Sequence, residues 1–93
     1  MNLILTIAFN SLITSQVKIE NPPHIPDIGD IVEIIPEDYF SNENEIKILR
    51  EYGDGDIWKV GFKTITYEKD KVSVLTVLEE RKHFEEHQKR LLI

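Results

Sequence analysis

Apolar or β-branched side chains recur at every second position in three separate stretches of this chain: Leu3, Leu5, Ile7 and Phe9; Trp58, Val60 and Phe62; Val72, Val74 and Thr76. A period of two sends alternate side chains to one face of a strand, whereas a helix needs a period near 3.6. The pattern restricts the chain to a mainly β fold. Ile13, Val17 and Ile19 keep the same odd phase beyond Asn10-Ser11, two turn-forming residues, so residues 3–20 read as a β-hairpin. Ile4, Ala8 and Leu12 place further apolar groups on the opposite face, which implies partial cover by another element or a second subunit.

Pro22, Pro23 and Pro26 fix φ three times and remove backbone donors, making residues 21–30 an extended connector. A β core over residues 31–78 follows. Ile31, Val32, Ile34 and Ile35 form a β-branched run that reads as a buried strand stopped by Pro36, and residues 36–44 are polar enough for a loop. Residues 45–52 fit two patterns: Ile46, Ile48 and Tyr52 suit a strand, while Ile46 and Leu49 share one helical face. The Gly53-Asp54-Gly55-Asp56 turn and the alternation beyond it favour a strand. After Lys63 the phase passes to Ile65 and Tyr67, as at a bulge in a curled sheet. Residues 79–92 read as a peripheral helix, because Phe84, Leu91 and Leu92 are sparse. The expectation is one domain over residues 1–93: a small curled antiparallel sheet of five or six strands, with an N-terminal hairpin and a C-terminal helix.

Ninety-three residues allow one modest core and little room for an elaborate cleft. With no cysteine, disulfides, thiolate catalysis and cysteine-based zinc sites are excluded from this chain. Leu3 to Ile13 is apolar, but it follows Asn2 in place of a basic region and is interrupted by Asn10-Ser11, so it does not read as a secretory signal. No stretch approaches the roughly 20 apolar residues of a membrane span. A cytoplasmic protein with no membrane association is expected.

His83-Phe84-Glu85-Glu86-His87 has the H-x-x-E-H form, placing two imidazoles one helical turn apart beside a carboxylate. A catalytic zinc needs a third ligand, and His24 in the connector is the sole other histidine. His83 and His87 are therefore candidates for adventitious metal alone, and no cofactor is expected. Asp54-Gly55-Asp56 could open a calcium loop, but the twelfth position is Ile65 and not an acid, so a plain turn is the reading. The serines lack a glycine elbow and there is no phosphate loop. No enzyme is expected. Tyr52, Trp58, Phe62 and Tyr67 with Lys59, Lys63, Lys69 and Lys71 could offer stacking and charge to nucleic acid, but a net charge of −6 opposes the phosphate backbone.

Charge supplies the functional reading. From Glu20 to Glu45 there are eight acidic residues and neither Lys nor Arg, while residues 46–93 are nearly balanced. One part of the protein is strongly electronegative, which suits a basic protein partner. The candidate partner-binding residues are Asp27, Asp30, Glu37, Asp38, Tyr39, Phe40 and Glu43. Tyr39-Phe40 is either an anchor into the core or a binding hot spot, with anchoring favoured. Two alternatives stand beside this interaction module: a homo-oligomeric structural protein that associates through the N-terminal strand, and an acidic inhibitor that mimics nucleic acid.

Pro26-Asp27-Ile28-Gly29-Asp30-Ile31-Val32 resembles the P-x-x-G-D-x-V entry to a strand in SH3-like small barrels, including short bacterial and bacteriophage proteins. Trp58-Lys59-Val60, a turn and Val72-Ser73-Val74 are similar in arrangement, so the resemblance covers residues 25–78. It implies an SH3-like barrel to which the N-terminal hairpin and C-terminal helix are additions. Such barrels host peptide-binding, nucleic-acid-binding and structural roles alike.

Overall fold

The computed structural model describes residues 2–53 and 55–80. In chain order these form β1 (Asn2–Phe9), β2 (Val17–Glu20), β3 (Ile31–Glu33), α1 (Pro36–Tyr39), α2 (Glu43–Tyr52), β4 (Ile57–Tyr67) and β5 (Lys71–Glu80). The strands make one curled half-barrel sheet in the order β2-β1-β5-β4-β3.

The hairpin pairs β1 with β2, Ile4 opposite Glu20 and Ile7 opposite Val17. Asn21 closes it: its N–H donates to the Leu3 carbonyl at 2.6 Å, and its side-chain oxygen accepts the Leu3 N–H at 2.9 Å. Asn21 has a φ of 46°, a left-handed conformation asparagine tolerates better than most residues. The proline connector then crosses to the far edge of the sheet. There Gly29, at φ 91°, donates to the Val60 carbonyl at 2.8 Å, and the Val60 N–H returns a bond to Asp30 at 3.0 Å. That turn delivers β3 onto β4.

The sheet is mixed and not antiparallel throughout, because β1 and β5 run parallel from Asn2–Lys71 to Phe9–Leu78. Parallel neighbours require a long crossover, and everything between β1 and β5 in sequence supplies it. β5 thus becomes the central strand, with Val74, Thr76 and Leu78 fully inside. The buried Thr76 hydroxyl reaches the Thr6 carbonyl at 3.4 Å.

Three further expectations are corrected. Residues 45–52 belong to the helix α2, which starts from Asn42, whose side-chain oxygen accepts the N–H groups of Asn44 and Glu45 at 2.9 and 3.1 Å. Its inward residues are Leu49, 0% exposed, and the partly buried Ile46, so the three-residue spacing prevails over the two-residue one. The expected loop at 36–44 contains α1 and the start of α2. Glu79 and Glu80 extend β5 opposite Lys59 and Trp58 instead of starting a helix, and the rest of the 79–92 segment lies outside the described residues.

The phase change in β4 also falls earlier than Lys63. The register slips between Val60 and Phe62, so Gly61 is the bulge residue. Trp58 and Val60 point into the core, and Phe62, expected there, is 52% exposed. The core is built on Phe9, whose ring meets Trp58 edge-on at 5.0 Å and Phe40 at 6.0 Å, roofed by Leu49 of α2.

Candidate functional site

The acidic segment is not a loose charged loop. Pro36 and Phe40 are buried at the two ends of α1, and the Phe40 N–H closes the turn onto the Pro36 carbonyl at 2.9 Å. Between these pins, Glu37, Asp38 and Tyr39 face outward. Phe40 is the core anchor, as favoured for the pair, and Tyr39 is 51% exposed.

Arg50 of α2 fastens the same turn from outside. Its Nε and Nη2 donate to the two carboxylate oxygens of Glu37, and Nη1 donates to Asp56 beyond the helix. A bidentate guanidinium–carboxylate pair fixes orientation as well as distance. The hydrogen bond from Arg50 holds the Glu37 carboxyl below its ordinary range, and the same contact raises Arg50. At the other end of the segment, Lys63 Nζ lies 2.6 Å from Asp27 Oδ1. That hydrogen bond and the lysine charge hold Asp27 below the usual carboxylate range. Asp30 accepts the Asp27 N–H at 2.8 Å and shapes the turn into β3. Glu45 receives the Ser15 hydroxyl at 2.9 Å, tying the β1–β2 loop to α2.

The structure therefore sorts the seven candidate residues. Asp27 and Glu37 are neutralised by internal cations, Asp30 serves a turn, and Phe40 serves the core. Asp38, Tyr39 and Glu43 remain exposed; the Asp38 N–H donates to the Ile35 carbonyl at 3.0 Å, but among the described residues neither the Asp38 nor the Glu43 carboxylate has a hydrogen-bond or ion-pair partner. Ile35, which the sequence assigned to a buried run, is exposed beside them and adds apolar surface.

Other sequence candidates are placed as follows. Trp58 is enclosed in the core, so the aromatic platform loses its largest member. β1 sits between β2 and β5, so the N-terminal strand is not a sheet edge. His83 and His87 lie outside the described residues, as does Asp54. Among the described residues no group of three metal-ligating side chains comes together, and no helix is long and apolar enough to cross a membrane. An open hollow of about 440 Å³ beside the β1–β2 loop is lined by residues such as Ala8, Ile13, Thr14, Leu75 and Val77, none of them titratable.

Sequence reasoning missed the open side of β4, where Phe62, Ile65 and Tyr67 are exposed. Gly61 was the available signal, since a glycine inside a strand pattern marks a bulge that reassigns the faces beyond it. No family model, curated protein or solved structure matches the chain.

Proposed function

We propose that this protein is a non-catalytic protein-interaction module that presents the α1 turn, with Asp38, Tyr39 and Glu43, to a basic partner surface. The observation that carries the reading is the division of labour within one short segment. Pro36, Phe40 and Glu37 are each held by the fold, and the Asp38, Tyr39 and Glu43 side chains are exposed, with neither carboxylate paired among the described residues. A rigid aromatic beside free carboxylates loses little conformational entropy on binding and supplies both contact area and complementary charge. We read the curled half-barrel sheet as a distant variant of the SH3-like barrel, from which the β1–β2 hairpin, packed into the core through Phe9, is a departure.

The test is affinity capture from lysate of the source cell with low- and high-salt washes. Wild type is compared with a Tyr39→Ala, Asp38→Asn, Glu43→Gln variant and with a control neutralised at Glu20 and Asp70. Asp27 and Glu37 are left unchanged, because altering them would release Lys63 and Arg50. A basic protein retained by wild type and control, released by salt and missing from the triple variant supports the reading. Identical captures from all three refute it.

A further inference from the structure

Among the described residues an edge of the sheet is left open, and its placement is independent of the acidic turn. β4 pairs with β5 from Trp58 to Tyr67, but with β3 only at Ile57, Trp58 and Lys59. Among the described residues the last backbone bonds from the β3 side join Val60 to Gly29 and Asp30, and beyond them only the Lys63 side chain reaches Asp27. From Phe62 to Tyr67 no described strand lies on that side.

The turn after β4 shows which backbone groups face outward. The Glu68 N–H donates to the Lys71 carbonyl at 2.9 Å, so Glu68 and, alternately, Thr66, Thr64 and Phe62 direct their backbone groups at β5. Lys63, Ile65 and Tyr67 therefore direct their N–H and C=O groups away from the sheet. Their side chains share the core face, Ile65 opposite Val74 and Tyr67 opposite Val72, yet Ile65 is 45% exposed and Tyr67 is 81% exposed. The other two edges are blunted. β2 has four residues and carries Lys18 and Glu20, while β3 has three residues between Pro26 and Pro36. The lysine on the β4 edge is drawn aside by Asp27.

We infer that this open edge of β4 pairs antiparallel with the same edge of a second copy of the chain, Ile65 opposite Ile65. The occupant follows from self-complementarity in that register. Lys63 of each copy lies opposite Tyr67 of the other, so an aliphatic stem meets a ring, and on the reverse face Thr64 lies opposite Thr66. No like charges oppose each other. Centring the pair on Lys63 would set two ammonium groups face to face. The outward groups of three residues per copy supply about six hydrogen bonds, and the exposed Ile65 and Tyr67 side chains merge into one stripe across the two-fold axis. An edge contact alone is smaller than the ~1,200–2,000 Å² of tight complexes, so we expect a dissociation constant on the order of 100 µM.

Sedimentation of the full chain from about 10 µM to about 1 mM spans that affinity. Since the chain has no cysteine, Ile65→Cys introduces a unique thiol. Opposed Cα atoms in such a pair lie about 5.5 Å apart, within disulfide reach. We expect mass to rise with concentration, Ile65→Cys to form a covalent dimer under mild oxidation, and Lys18→Cys on the β2 edge to remain monomeric. Ile65→Lys, at an exposed site that leaves the melting temperature nearly unchanged, should weaken association about tenfold or more. A monomer at all concentrations overturns the inference. So does cross-linking through Lys18→Cys in place of Ile65→Cys, or a folded Ile65→Lys variant that associates as wild type does.

Discussion

Two glycine-to-alanine substitutions should differ in a direction opposite to their closest contacts. A β-carbon on Gly61 would lie 2.4 Å from the Glu79 Cδ, with the next atoms at 2.7 Å also in that side chain. A β-carbon on Gly53 would lie 2.8 Å from the Leu49 carbonyl oxygen and 3.0 and 3.2 Å from ring carbons of Trp58. The Glu79 carboxylate is the end of a flexible side chain and can swing away. The Leu49 carbonyl cannot, because it accepts the Gly53 N–H at 2.9 Å at the end of α2. Trp58, 1% exposed and packed on Phe9, has nowhere to retreat. Overpacking of this kind costs about 1–3 kcal/mol. Alanine returns roughly 0.4–1 kcal/mol by restricting the unfolded chain, since Gly53 already has a φ of −79°. The net for Gly53→Ala is a loss of about 1–2 kcal/mol, and at about 4–8 °C per kcal/mol the melting temperature should fall by about 4–16 °C. For Gly61→Ala the same entropic gain is offset by repositioning Glu79, leaving stability within about 0.5 kcal/mol of wild type. Urea unfolding followed by fluorescence of the single tryptophan measures both. A neutral Gly53→Ala, or a Gly61→Ala that costs more, would refute the reasoning.

Removing the α2 cap with Asn42→Ala should cost about 1 kcal/mol in the same urea assay, because two N–H groups lose their acceptor. Leu49→Ala, at the enclosed contact between α2 and the sheet, should cost about 2–5 kcal/mol and lower the urea midpoint accordingly. Asp27 and Glu37 both have lowered folded pKa values, so their contribution is fully present above their unfolded values near about 4 and is lost as pH falls through the lower folded values. Melting temperature should therefore drop more steeply below about pH 4 in wild type than in an Asp27→Asn, Glu37→Gln variant, and parallel curves would contradict this.

The strands of this fold were legible where one face is enclosed and the other only partly buried. Leu5, Ile7 and Phe9, and again Val74, Thr76 and Leu78, are enclosed on one side, and this produces the alternation. The parallel pairing of β1 with β5 left no such mark, since strand direction depends on a crossover between segments far apart in sequence. α2 was legible and was misread. Asn42 followed three residues later by Glu45 is a helix-start signature, outweighed by the coincidental alternation of Ile46 and Ile48. The acidic segment could be seen as charge but not as contacts. Asp27 is paid back by Lys63 from 36 positions away and Glu37 by Arg50 from 13, separations at which sequence proximity says nothing about pairing.

The presentation of the α1 turn to basic partners is tested most directly by titrating ¹⁵N-labelled protein with a lysine-rich peptide at low salt and repeating the titration at high salt. We expect amide shifts concentrated on Glu37 to Glu43, accompanied by the Tyr39 ring and erased by salt. Shifts spread evenly over the acidic residues, Glu20 and Asp70 included, or centred on another part of the sheet, would contradict it.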